Sequence, residues 1–153
     1  MHLVIDIGNS RVKAALFEKN ELKHHFIFNN IPEFFQSKII EKFAIDNCIL
    51  STVVDDFKTS LEELQKHFSV LLYTVNSPTP LKNLYETINT LGADRLAGAV
   101  AGNFLFPNKN VLVIDAGTCI KYNFVNHKNE FIAGAISPGI KMRFKAVNTF
   151  TAR

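Results

Sequence analysis

The chain has 153 residues, of which 47% are hydrophobic, and a formal net charge of +3 from 17 Lys and Arg against 14 Asp and Glu. That is apolar material for one good core, or one core and the start of a second, while the weak and dispersed positive charge argues against nucleic acid as the main partner. Apolar runs such as Val111 to Ile114 are far too short to cross a bilayer, and the N-terminus lacks a basic segment followed by an apolar stretch, so a soluble cytoplasmic protein without membrane contact is expected.

Residues 2 to 6 form a short apolar run that ends in Asp and Gly, as a buried strand entering a tight turn does. Val12, Ala14 and Leu16 alternate after it, Asn20-Glu21 is a polar turn, and Leu22 to Phe28 returns, giving an antiparallel meander. Phe34, Phe35, Ile39, Ile40 and Phe43 have helical spacing, which predicts one helix over Glu33 to Phe43. A buried strand is predicted over Asn47 to Thr52, a helix capped by Asp55 or Asp56 through Phe68, and a strand over Val70 to Val75. Ser77-Pro78-Thr79-Pro80 opens a loop that runs to Leu91. Gly92 to Phe106 reads as a helix rich in small residues, which lets it approach neighbouring backbone closely and predicts packing between two layers.

A second buried strand follows over Val111 to Asp115, then alternation over Ile120 to Val125, a polar turn, a third strand over Phe131 to Ile136, and a helix over Ile140 to Asn148. Strands and helices alternating after a hairpin start imply a mixed sheet with helices on its faces. Cys48 and Cys119 form no disulfide framework or zinc spacing. The five histidines are scattered and suggest no metal site. The phenylalanines lie mostly in core-type patterns rather than forming stacking platforms for bases.

Val4-Ile5-Asp6-Ile7-Gly8-Asn9-Ser10 and Val113-Ile114-Asp115-Ala116-Gly117-Thr118-Cys119 share a pattern, each leading into alternating β residues and a polar turn. A repeat of this length points to duplicated subdomains, and two facing copies would make a cleft. Such a turn suits phosphate and metal: glycine opens the backbone N–H groups, Asn, Ser or Thr add donors, and the strand-end Asp holds a cation directly or through water. No Walker loop occurs. Lys13 either reaches a phosphate or is a solvated edge lysine. Lys121 lies one place earlier relative to its Asp, and period-2 alternation then puts it on the opposite face, so an equivalent role is not expected of it.

Leu91-Gly92-Ala93-Asp94-Arg95-Leu96 sets an acid and a base at the mouth of the small-residue helix. Asp94 either complements the helix dipole or accepts a proton from a substrate hydroxyl, and Arg95 is either a surface residue or a steadying charge for phosphoryl or carboxylate groups.

Asp6-Ile7-Gly8-Asn9-Ser10, Gly92-Ala93-Asp94-Arg95, Asp115-Ala116-Gly117-Thr118 and Gly134-Ala135-Ile136-Ser137-Pro138-Gly139 together, in this order and spacing, resemble the type III pantothenate kinases. The resemblance runs over essentially the whole chain. It implies an α/β protein of the actin-like ATPase (ribonuclease H-like) fold with duplicated mixed-sheet subdomains, the second incomplete: an N-terminal one over 1–106 and the first part of a C-terminal one over 107–153. Ile88, Asn123 and Ala133 stand where the family usually has Pro, Asp and Gly. Family members continue past Arg153, so the second sheet is expected to be incompletely covered, and activity of the chain by itself is left open by the resemblance.

The implied activity is ATP-dependent phosphorylation of pantothenate to 4'-phosphopantothenate, the first step of coenzyme A biosynthesis, with magnesium and a monovalent cation, potassium or ammonium. The resemblance assigns ATP binding to Asp6, Ile7, Gly8, Asn9, Ser10, Arg11, Val12, Lys13 and Thr118, and the monovalent cation to Asp115. It assigns the pantothenate site to Tyr85, Gly92, Ala93, Asp94 and Arg95, and the role of proton acceptor to Asp94. It also implies a homodimer. Other readings are a different small-molecule kinase of the superfamily and a non-catalytic nucleotide-binding regulatory protein.

Overall fold

A computed structural model describes residues 1–54 and 57–151. The chain forms two compact units, Met1–Asn76 and Ser77–Arg153.

In the first unit, β1 (His2–Ile7), β2 (Val12–Glu18) and β3 (Glu21–Phe28) make the expected antiparallel meander. β4 (Asn47–Thr52) and β5 (Ser69–Tyr73) then add in parallel, giving the order β3-β2-β1-β4-β5. Alternation decides which face is buried: Leu3, Ile5 and Ile7 of β1 meet Val12, Ala14 and Leu16 of β2 in a core completed by Phe34, Ile39, Leu50 and Leu64. Each of the large side chains buried there contributes about 1.5–3 kcal/mol over its exposed form.

The single helix predicted over Glu33 to Phe43 is two helices, α1 (Ile31–Gln36) and α2 (Ile39–Lys42). The Asn30 side chain caps α1 by accepting from the Glu33 N–H at 2.9 Å. The Ser37 hydroxyl turns back onto the Phe34 carbonyl at 2.6 Å. Lys38, at φ 57°, then enters the left-handed region, which no helix interior tolerates. α3 spans Lys58–Gln65. Its expected caps, Asp55 and Asp56, lie outside the described residues.

Cys48 is buried at 1% exposure, and burial pushes its thiol up to about 12. Cys119 is partly exposed. At neutral pH Ellman's reagent should therefore label Cys119 in the native protein and reach Cys48 only on unfolding. Two thiols reacting at one rate would contradict this.

In the second unit, β6 (Lys82–Asn83), β7 (Val111–Ala116), β8 (Cys119–Val125) and β9 (Glu130–Pro138) form a sheet in the order β6-β9-β8-β7. The stretch expected to be one loop to Leu91 thus holds β6 and a 3-10 turn, Ile88–Thr90. Its Leu81 and Leu91 are buried, and β6 pairs in parallel with β9. The pairing of β6 with β9 ties this stretch to the second sheet, and the compact units divide after Asn76.

Helix α4 (Ala93–Leu105) packs on β7 and β8 of its own sheet. Its small residues permit this approach: a Cβ on Gly102 would meet Val113 and, at 3.3 Å, Val111. The other face of β7 is not buried as expected, since Leu112 and Ile114 are 56% and 57% exposed. Helix α5 (Ile140–Phe150) is exposed along its length. No helix among the described residues is long and apolar enough to cross a membrane.

Candidate active site

In the first unit Asp6 lies directly across from Lys13, with the ammonium 4.0 Å from the carboxylate. The Gly8 N–H donates to the Arg11 carbonyl at 3.0 Å and closes the turn. A Cβ on Gly8 would come within 3.3 Å of that carbonyl. Asn9, Ser10 and Arg11 are exposed on the turn. Ile7 and Val12 are 4% and 2% exposed, so their side chains belong to the core and only their backbones remain for a ligand. Short polar side chains on an open turn beside a carboxylate and a lysine form a donor set suited to phosphate.

The second copy differs in one informative way. Asp115 lies directly across from Lys121, as Asp6 does from Lys13. Directly opposed residues of an antiparallel pair share a face. The expectation that Lys121 points the other way is therefore wrong. The turn closed by Ala116 opposite Ile120 is one residue shorter than that closed by Ile7 opposite Val12, which cancels the one-residue offset between the lysines.

Lys121 hydrogen-bonds to Asp115 Oδ2 at 3.0 Å and also to Asp94 Oδ2. Burial works against its charge, but the hydrogen bonds and charges of the two carboxylates outweigh burial and raise its pKa above the ordinary lysine value. The other oxygen of Asp94 accepts from the Arg95 backbone N–H at 2.9 Å, in the first turn of α4 where an anion is favoured. A side chain on Gly92 would collide with that same oxygen.

Arg95 is 4% exposed, not a surface residue. Its Nε donates to Asn123 Oδ1 at 2.8 Å and its Nη1 to the Tyr85 hydroxyl at 3.1 Å. The guanidinium carbon lies 5.0 Å from the centre of the Tyr85 ring, which itself stacks on Phe131 at 5.7 Å. Tyr85, Asp94, Arg95 and Asp115 thus come together within one unit, joined by Lys121 and Asn123. Ala93, the first residue of α4, is buried.

The Gly-rich segment serves as support. A Cβ on Gly134 would run into Arg95 Nη2 and the Tyr122 carbonyl, and one on Gly139 into the Thr118 carbonyl. The Gly139 N–H donates to that carbonyl at 3.1 Å, fixing the turn that carries the exposed Thr118. Sequence reasoning missed Lys121 and the task of Gly134. The signal available for Asn123 was its departure from the family's Asp.

The sequence model of the type III pantothenate kinases matches residues 2–153. A type III pantothenate kinase of Phocaeicola vulgatus is 41% identical over 152 residues, covering 99% of this chain and 63% of that protein. One of Flavobacterium johnsoniae is 40% identical over 157 residues, covering all of this chain and 64% of the relative. The chain therefore spans about 63% of the length of these curated relatives. Among solved structures, a Campylobacter jejuni protein described as a Baf family transcriptional activator aligns at TM-score 0.60 and 21% identity, over 97% of this chain and 60% of that one. A 2-dehydro-3-deoxygalactonokinase-like protein of Sinorhizobium meliloti aligns at 0.53 and 12%, over 99% and 58%. At these identities the structures speak for the fold alone, which is that of the actin-like ATPases. With its two Asp-x-Gly turns, its Gly-x-Asp-Arg helix start and a family match from residue 2 to residue 153, the chain belongs to the type III pantothenate kinase family.

Proposed function

We propose that this chain carries the ATP-phosphate and pantothenate sites of a cytoplasmic, homodimeric kinase that transfers the γ-phosphoryl group of ATP to the primary alcohol of pantothenate. The observation that supports this best is Asp94: a carboxylate anchored by a helix N–H on one oxygen, reached by Lys121 on the other, and adjoining the buried cation Arg95.

The turn from Asp6 to Lys13 offers backbone donors, short polar side chains and a lysine to the phosphates. Thr118, exposed on the turn of the second unit, is proposed separately as an ATP contact. Magnesium fits, because this ion is commonly held by one or two carboxylates together with the phosphates themselves, and Asp6 supplies one. It would neutralise charge on the phosphates. A potassium or ammonium ion on Asp115 does not fit in the same way, because Lys121 already brings a positive charge to that carboxylate.

On the acceptor side, Arg95 and Tyr85 present a fixed cation and hydroxyl to pantothenate, with Gly92 and Ala93 forming the adjoining backbone. Phosphoryl transfer through a loose transition state asks little activation of the nucleophile. Asp94 therefore acts first by orienting the alcohol and then by taking its proton onto a carboxylate oxygen.

The test is a coupled ATP assay on the chain and on a chimaera that adds the C-terminal third of the Phocaeicola vulgatus relative. Pantothenate should be phosphorylated in preference to a panel of hexoses. Hexose turnover would favour another small-molecule kinase. Nucleotide binding with no turnover of either would favour a regulatory protein.

A further inference from the structure

We propose that the Lys121 ammonium is a built-in cation bridging Asp94 and Asp115, and that it makes a bound monovalent ion unnecessary at Asp115. The inference rests on reading these two aspartates as the acceptor-side site, but its test does not depend on turnover.

Three observations carry it. The antiparallel register sets Lys121 directly across from Asp115, so its position is fixed by the sheet and not by a flexible stem alone. Its Nζ reaches both carboxylates, that of Asp94 and, at 3.0 Å, that of Asp115, and an ammonium has donors enough for both. Only 24% of its side chain is exposed, against 59% for Lys13, whose contact with Asp6 is looser at 4.0 Å. The second Asp–Lys pair is thus joined by a third group, Asp94.

A monovalent ion on Asp115 would do two things: neutralise that carboxylate and provide a compact positive charge beside the reacting groups. Lys121 does both. A further ion on the same carboxylate would meet a like charge at close range, while a chain without the lysine would leave two neighbouring carboxylates with an open place between them. Lys121 is a positioning residue in this account, since it acts on the substrate through Asp94.

Thermal unfolding of the chain in potassium, ammonium, sodium and choline chlorides at one ionic strength tests it. The wild type and Lys121→Arg should unfold at the same temperature in potassium and in choline. Lys121→Ala should unfold at a lower temperature in choline and recover selectively in potassium or ammonium, because an ion that binds only the folded state stabilises it by mass action. Thallous ion, a spectroscopic stand-in for potassium, should show exchange-broadened resonance with Lys121→Ala and none with the wild type. Should Lys121→Ala fail to fold, Lys121→Gln keeps the length of the side chain without the charge and takes its place in both measurements.

Potassium-selective stabilisation of the wild type would overturn the inference, and so would a neutral variant that is blind to cation identity, the result expected of an ordinary structural salt bridge. Failure of the chimaera to phosphorylate pantothenate would sink the kinase reading and leave this comparison standing. A potassium-selective wild type would do the reverse.

Discussion

Asp94→Asn is expected to lower kcat for pantothenate by on the order of 10²–10⁴, the usual contribution of a positioned acid or base, with ATP affinity little changed. The substitution is nearly isosteric. The amide oxygen can keep the 2.9 Å bond from the Arg95 N–H, so the start of α4 and the burial of Arg95 should survive. What is lost is the group proposed to receive the alcohol proton, together with one of the two carboxylates on Lys121. Asp94→Ala should cost at least as much turnover and some stability besides, since it removes the anion from the first turn of α4. Measured on the chimaera, the split between the parameters is diagnostic: kcat should collapse while the KM for ATP stays near its starting value. Near wild-type turnover in Asp94→Asn would remove the residue from the role. A parallel loss of ATP binding would show that the variant disturbs more than the proton acceptor.

The two meanders and the Asp-x-Gly turns were legible in the sequence because each depends on local information. Val12, Ala14 and Leu16 alternate, and a strand with one buried face must alternate. The helix from Gly92 onward was legible in the same way, and its small residues do allow close approach, as Gly102 against Val111 and Val113 shows. What could not be read depends on geometry that periodicity does not carry. The left-handed Lys38 interrupts a stretch whose apolar residues keep helical spacing on both sides of the break. The face of Lys121 depends on the length of a turn, and counting along the strand from Asp115 ignores how the turn is closed. Leu81 and Leu91 are buried although they sit in a stretch that reads as a loop, because β6 pairs with a strand distant in sequence. Tyr85 and Arg95 entered only through the resemblance and through adjacency to Asp94; nothing local says that they touch.

Gly134 shows the largest gap between what the sequence signals and what the structure asks, and Gly134→Ala should destabilise the second unit by about 3 kcal/mol, the upper end of the cost of forcing an extra methyl into a packed site. For a unit of this size that is a fall of roughly 12–24 °C in Tm. The usual objection to glycine in a strand, lost entropy and lost packing, would predict that alanine helps. Here the space is already taken. Gly134 pairs with Asn123 on β8, and a Cβ would enter the volume held by Arg95 Nη2 and the Tyr122 carbonyl and come within 3.0 Å of Asn123 Oδ1. The carbonyl is backbone and cannot swing away. The guanidinium can move only by giving up its bonds to Asn123 and Tyr85 while still buried, and a buried charge stripped of partners is costly. A double-mutant cycle separates these two sources. In an Arg95→Ala background the guanidinium clash is gone, so Gly134→Ala should cost less there than in the wild type, the remainder reporting the Tyr122 backbone. If the two substitutions add without coupling, or if Gly134→Ala is neutral, then Arg95 is not held by the close approach of β9, and the fixed cation on which the acceptor side depends loses its support.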